Sequence, residues 1–320
     1  MIFEKQILQY YKGLLHTRYD GDGMTFYFQP SDFDGLIAEP IPFKSAAGHT
    51  LSGYLYHYEP VIPGRIVVFD HGIGGGHRAY MKEIEMLCRR GYLVFAYDHT
   101  GCMESGGETA NGLAQSLCDL DACMRFIKEN ERFRGLDISV MGHSWGGFST
   151  LNIAALHPEI SHIVVLSGFV SVEMVVADFF TGFLKAYRKA VYAFEARVNP
   201  DHIGFHGVES LSKTDAKVLL VYSDNDHLVN VRHYECLKAG LADRPNVTFR
   251  LEQNKGHNPN YTQDAIARLG EYHAAKKKLT SSKKPVSDAQ KNAFRDSFDW
   301  DRMTAQDAAV WEEVFACLER

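Results

Sequence analysis

The stretch Gly142-His143-Ser144-Trp145-Gly146 decides the fold prediction for this chain. It follows residues 136–141, a short apolar and β-branched segment typical of a strand, and it precedes an apolar run typical of a helix. A serine at such a junction, with glycines two residues before and after it, predicts a strained turn in which strand and helix approach closely. The pattern predicts that Ser144 is a nucleophile.

A nucleophilic serine needs a histidine as base, and the histidine needs a carboxylate that fixes its tautomer. In proteins with this turn, the acid and then the histidine follow the serine along the chain. Residues 217–222 predict a buried strand, which is followed by Asp224 and Asp226. We favour Asp226, because the apolar pair after it can anchor the loop, whereas Asp224 is typical of a turn cap. Of the 15 histidines, His257 has the required chain order, and His143 is expected to point away from the site.

A glycine-rich segment follows the predicted strand at residues 65–69. Backbone amides of such loops stabilise the oxyanion of a tetrahedral intermediate. The amide of Ile73, or that of Gly74, together with the amide of Trp145, is therefore predicted to form an oxyanion hole. The alternative, a phosphate-binding loop, lacks both of the glycine spacings that such loops require.

Four motifs in this order resemble the α/β-hydrolase superfamily, and within it the monoacylglycerol lipase-like and serine aminopeptidase-like esterases. They are His71-Gly72-Ile73-Gly74, residues 142–147, Asp226-His227-Leu228-Val229 and Gly256-His257. The resemblance covers the chain from about residue 41 onward. It implies an α/β fold with a mostly parallel eight-stranded sheet flanked by helices, and a Ser144, Asp226 and His257 triad. Thr100 stands where this family usually has arginine, and Met103 where it usually has glycine, so a differently shaped loop is expected there.

Length and composition restrict the class of protein. A chain of 320 residues is expected to form one catalytic domain with an insertion. A formal net charge of −6 argues against nucleic acid as the main partner. Six cysteines without Cys-x-x-Cys spacing favour reduced thiols in the cytoplasm, and no signal peptide or membrane-spanning apolar run is seen. No metal-binding pattern occurs, so neither metal nor cofactor is expected.

Two insertions are predicted within the domain of residues 1–320. The first, at 171–214, corresponds to the helical cap of the superfamily, and its apolar residues predict one amphipathic helix from Val172 to Tyr187. Its aromatic side chains are expected to line an acyl or aryl pocket, or else to pack on the domain: Phe179, Phe180, Phe183 and Tyr187. The second insertion, at 259–301, contains a lysine-rich stretch at 276–284 that predicts a solvated connector or a contact with an acidic partner or anionic lipid. The last helix is expected to begin at Thr304.

These features predict a serine hydrolase that cleaves small carboxylic esters through an acyl-enzyme, with its oligomeric state left open. A serine peptidase or amidase, or a thioesterase or acyltransferase, would use the same triad. From another class, a non-catalytic binding protein could share the fold, because fold does not fix function.

Overall fold

A computed structural model describes residues 3–281 and 285–319, and its strands form one large sheet and one small one. The strands are β1 (Ile37–Pro40), β2 (Phe43–Lys44), β3 (Thr50–Leu51), β4 (Gly53–His57), β5 (Arg65–Asp70), β6 (Leu93–Tyr97), β7 (Asp137–His143), β8 (His162–Leu166), β9 (Lys217–Ser223) and β10 (Val247–Glu252). The large sheet has eight strands in the order β1-β4-β6-β5-β7-β8-β9-β10. The pairs β1–β4 and β4–β6 are antiparallel and the other five pairs are parallel, so the predicted mostly parallel eight-stranded sheet is confirmed.

Helices cover both faces of this sheet. They are α1 (Glu4–Leu15), α2 (Met81–Arg89), α3 (Gln115–Glu129), α4 (Trp145–Asn152), α5 (Val172–Phe179), α6 (Arg188–Val198), α7 (Gly207–Leu211), α8 (Arg232–Leu241), α9 (Gln263–Thr280), α10 (Asp288–Arg295), α11 (Trp300–Met303) and α12 (Ala308–Glu319). Side chains alternate between faces along each strand. On β5, Val68 packs in the core with α3 and α4, while Val67 and Phe69 pack in the core with α2 and α12. No helix within residues 3–281 or 285–319 has the length and hydropathy needed to cross a bilayer.

The turn between β7 and α4 is as tight as the sequence predicts. Ser144 has a φ of 57°, in the left-handed region that a serine rarely adopts. A Cβ atom on Gly146 would lie 2.2 Å from the backbone oxygen of Asp70, and one on Gly142 would lie 2.3 Å from Thr150 Oγ1. The flanking glycines are therefore required because the strand and the helix leave no space for a methyl group.

We expect Gly146→Ala to lower the free energy of unfolding by about 3 kcal/mol, because overpacked backbone must shift. Gly270 is the matched control: it lies exposed within α9, and an added Cβ would meet nothing within 4 Å. Gly270→Ala should raise the free energy of unfolding by about 0.5–1 kcal/mol through helix propensity. Urea unfolding of both variants measures the two effects, and equal stabilities would contradict the packing argument.

The segment between β8 and β9 differs from the single helix predicted for Val172 to Tyr187. Helix α5 ends at Phe179, a 3-10 stretch follows at Gly182–Tyr187, and α6 begins at Arg188. Gly182 has a φ of 55°, which an α-helix does not allow. Arg188 Nε donates to the Phe180 carbonyl oxygen at 2.7 Å and so satisfies an acceptor freed by the break. The prediction of one helix was wrong because spacing alone does not show this interruption.

The lysine-rich stretch and the last helix also differ from the predictions. Residues 276–280 of the predicted connector form the last part of α9, and Lys276 is paired with Asp22. Residues 282–284 of the predicted connector lie outside the described residues. Helix α12 begins at Ala308 rather than at Thr304. Asp307 Oδ1 accepts the amide of Ala309 at 2.9 Å, so the aspartate caps this helix.

Candidate active site

Three loops at the carboxyl edge of the sheet bring Ser144, Asp226 and His257 together. Ser144 follows β7, Asp226 follows β9 and His257 follows β10. Ser144 Oγ lies 2.8 Å from His257 Nε2, and His257 Nδ1 lies 2.7 Å from Asp226 Oδ2. A hydroxyl, an imidazole and a carboxylate thus form one continuous hydrogen-bonded chain.

Asp226, and not Asp224, contacts the histidine. Asp226 is 3% exposed, and its other oxygen accepts the amides of Leu228 at 2.8 Å and Val229 at 3.0 Å. Burial raises the pKa of Asp226, but the hydrogen bond and charge of His257 and these two amides together hold the pKa below its usual value. The exposed Asp224 instead accepts the amide of Asn254 at 2.8 Å, so it caps the turn.

His143 does not point away from the site as expected, but contacts the main chain of His257. His143 Nε2 lies 2.7 Å from the His257 carbonyl oxygen, which can only accept, so Nε2 carries the proton. Nδ1 must then accept the hydroxyl of Tyr80, 2.8 Å away, and Tyr80 Oη in turn accepts the amide of Gly72 at 3.1 Å. One chain of hydrogen bonds therefore ties the serine turn, the glycine-rich loop and the histidine loop together.

His143 is expected to remain neutral far into the acid range. It is 4% exposed, and burial lowers the pKa of His143 to about 3, because charging it would cost desolvation. The unfolded chain, with a histidine pKa of about 6.5, takes up a proton that the folded chain does not. The free energy of unfolding therefore falls as the pH drops from 6.5 toward 3, because only the unfolded chain is stabilised by binding this proton. Imidazole nitrogen NMR should show the Nε2–H tautomer at pH 5, and a doubly protonated ring at that pH would contradict the assignment.

The predicted oxyanion amides lie beside the serine. Trp145 is the first residue of α4, where helix amides have no intrahelical acceptor. Within residues 3–281 and 285–319, the amides of Ile73, Gly74 and Trp145 donate to no protein acceptor. The glycine-rich loop comes close, since a Cβ atom on Gly72 would lie 3.2 Å from Ser144 Cβ.

The loop that departs from the family pattern is held inward. Thr100 is fully buried, and its hydroxyl and amide donate to the two carboxylate oxygens of Asp119, each at 2.8 Å. Met103 adopts a φ of 44° at the position where relatives of the family usually have glycine. Its amide donates to the Tyr19 carbonyl oxygen at 2.8 Å. This backbone bond joins the loop to the segment that follows α1.

A mostly apolar cavity of about 270 Å³ adjoins Ser144. Its apolar side chains come from distant parts of the chain and include Leu15, Leu113, Phe169, Val175, Phe179 and Leu228. Of the four aromatic residues predicted to line a pocket, Phe179 does so. Phe180 is buried against Tyr11, with ring centres 6.1 Å apart, Phe183 is 83% exposed, and Tyr187 packs on the core. The helix break after Phe179 turns these three away from the cavity.

Sequence reasoning missed Leu15, Leu113 and Tyr80 as parts of the site. Leu15 and Leu113 carry no motif, and their approach to Ser144 depends on the tertiary fold alone. Within the described parts of the chain, no three His, Cys, Asp or Glu side chains group closely enough to hold a metal ion.

Comparison with known proteins identifies the family to which the chain belongs. Residues 62–229, just over half of the chain, match the family described as serine aminopeptidase, S33. The chain belongs to this hydrolase family. The resemblance inferred from the motifs is thereby confirmed: the chain has the α/β-hydrolase fold and belongs to a family of serine hydrolases.

Individual relatives of this S33 hydrolase match over shorter stretches. An uncharacterized protein of Bacillus subtilis, YqkD, is 28% identical over 125 residues, which are 39% of this chain and 40% of that protein. The human monoglyceride lipase is 29% identical over 96 residues, which are 30% of this chain and 32% of the lipase. The chain therefore spans about two fifths or less of the length of the curated relatives it matches. An esterase of Pyrococcus furiosus shares the fold with a TM-score of 0.59 at 18% identity, over 83% of this chain and 97% of the esterase.

Proposed function

We propose that this enzyme cleaves carboxylic esters through an acyl-enzyme formed on Ser144. The observation that carries the proposal is the unbroken hydrogen-bonded chain from Ser144 through His257 to Asp226. A serine hydroxyl is a weak nucleophile on its own, and an imidazole at 2.8 Å can remove its proton as it attacks.

In the proposed reaction, Ser144 Oγ bonds to the ester carbonyl carbon while its proton passes to His257 Nε2. Asp226 accepts the Nδ1–H and stabilises the imidazolium. The free amides of Ile73 and Trp145 hold the oxyanion. His257 then gives the proton to the departing alcohol, and the acyl group stays on Ser144. Water then attacks the carbonyl carbon of the acyl-enzyme while one of its protons passes to His257. His257 returns this proton to Ser144 Oγ, and the acid is released.

The cavity supports a small ester as substrate. Its volume of about 270 Å³ is just below the roughly 300–1,000 Å³ typical of small-molecule sites. Helix α5 contributes Val175 and Phe179 to its lining, which supports the assignment of residues 171–214 as a cap. The unbridged thiols of Cys88, Cys102, Cys118 and Cys123 fit a cytoplasmic location, which stays a prediction.

An aminopeptidase is the second candidate, because the family is described by that activity. Such an enzyme binds the free ammonium group of its substrate, and a buried ammonium needs a carboxylate partner. The residues described as lining the cavity include neither aspartate nor glutamate. The lining therefore favours an uncharged acyl group over an aminoacyl group.

Matched substrates test the proposal. We expect kcat/KM for p-nitrophenyl butyrate to exceed that for butyryl p-nitroanilide and for leucine p-nitroanilide by at least about 100-fold. A preference for leucine p-nitroanilide would establish the aminopeptidase instead. Hydrolysis of ethyl butyrate, measured by the release of acid, is the control, because this ester lacks the activated p-nitrophenolate leaving group.

A further inference from the structure

Two spaces of different character meet at the proposed nucleophile. One is the apolar cavity of about 270 Å³ that contains Ser144. The other is an open cleft of about 570 Å³, which shares Ile73, Tyr80, His143 and His257 with the cavity and is lined by polar groups such as Arg18, Asp22 and Lys276. Apolar chains gain free energy from burial, so the acyl chain belongs in the cavity and the alcohol part in the cleft.

Part of the cavity wall comes from outside the segment that matches the family. Leu15, the last residue of α1, lines the cavity together with Leu113, which precedes α3. The two residues are neighbours through the main chain, since the amide of Gly112 donates to the Leu15 carbonyl oxygen at 3.2 Å. The matched segment begins at residue 62, so α1 lies outside the part that the family model matches.

A buried carboxylate fixes this wall. Glu195 in α6 is fully buried, and its Oε1 accepts the hydroxyl of Tyr11 at 2.8 Å and lies 2.6 Å from His16 Nε2. Its Oε2 accepts the amide of Leu113 at 2.8 Å. One side chain of the predicted cap therefore holds the end of α1 and the Leu113 loop in place.

The residues around the Glu195 carboxylate, which we call the Glu195 anchor, are closely packed. A Cβ atom on Gly112 would lie 2.5 Å from both carboxylate oxygens of Glu195. The ring of Phe194 packs against His16 at 4.7 Å and lies 4.6 Å from Lys12 Nζ. Because buried hydrogen bonds and ring contacts both hold α1, Leu15 is a fixed wall rather than a loose cover.

We infer that Leu15 sets the length of the acyl chain that the enzyme accepts, and that its substrates are esters of short to medium straight-chain acids. The inference rests on the proposed function, because an acyl pocket requires an acyl-enzyme. A cavity of about 270 Å³ holds roughly nine groups of about 30 Å³ each. Since the carbonyl oxygen takes one of these places, the cavity fits acyl chains of up to about eight carbons.

The test is the dependence of kcat/KM on acyl length, with p-nitrophenyl esters from acetate to palmitate. In the wild-type enzyme, kcat/KM should rise about fourfold per added methylene while the cavity fills, and then fall beyond about eight carbons. Leu15→Ala joins the lost side-chain volume to the cavity, so the ratio of kcat/KM for decanoate to that for butyrate should rise at least about tenfold. Leu15→Phe should lower the ratio for octanoate to butyrate by a similar factor.

Leu14→Ala is the matched control, because Leu14 is 49% exposed and does not line the cavity. It should reproduce the wild-type profile. Near-ultraviolet circular dichroism verifies that each variant is folded before its profile is compared. An unchanged profile in both folded Leu15 variants, or a wild-type optimum at palmitate, overturns the inference but leaves the proposed function intact. No hydrolysis of any ester by the wild-type enzyme overturns both.

Discussion

Replacing Ser144 with alanine is expected to lower kcat for p-nitrophenyl butyrate by about 10^4- to 10^6-fold. The substitution removes only the hydroxyl group, whose oxygen lies 2.8 Å from His257 Nε2, and without it no acyl-enzyme forms. The fold should survive, since alanine fits wherever serine fits. Initial rates and labelling by a fluorophosphonate probe measure the effect, and the variant should not be labelled.

Ser212→Ala is the matched control for the serine variant. Ser212 is exposed after α7, where its hydroxyl donates to the Glu209 carbonyl oxygen at 2.9 Å. This variant should keep the wild-type rate and the wild-type labelling. Hydrolysis by Ser144→Ala at more than about a tenth of the wild-type rate would disprove the assigned nucleophile.

Replacing Asp226 with asparagine should lower kcat by about 10^4-fold, as loss of the acid does in other triads. Asparagine keeps the shape but can present an amide to His257 Nδ1, which then has to accept and leaves Nε2 protonated. The wrong tautomer cannot take the proton of Ser144. The pH dependence of kcat should also change, because a hydroxide-dependent path becomes visible when the base is missing.

Asp224→Asn is the paired control, two residues away. Asp224 is exposed and accepts one backbone amide at 2.8 Å, so its replacement should change kcat less than about tenfold. If Asp224→Asn were the more damaging of the two, the acid would have to be reassigned. The pair therefore decides between the two aspartates that chain order alone leaves open.

Local rules account for the parts of the fold that the sequence could predict. The pattern of Ser144 and its two glycines is visible within five residues of sequence, and the buried strands such as β5 and β9 are mostly continuous apolar runs. The break after Phe179 could not be predicted in this way. Apolar spacing continues across it, and the chain turns where Gly182 adopts a left-handed conformation.

The candidate site likewise has parts that the sequence predicts and parts that depend on contacts between distant residues. The chain order of Ser144, Asp226 and His257 follows from the order of parallel strands in the sheet, so their approach could be predicted from motifs. The orientation of His143 could not, because it depends on the hydroxyl of Tyr80 and a carbonyl oxygen 114 residues later. Leu15 likewise reaches the cavity only through contacts between distant elements.

The Glu195 anchor also bears on the order in which the protein is made. Helix α1 leaves the ribosome before α6, and its Tyr11 finds its buried partner 184 residues later in the chain. Domains form progressively as the chain emerges, and contacts between distant residues close late. We therefore expect the buried face of α1 to stay uncovered, and the wall at Leu15 to stay open, until α6 has been synthesised.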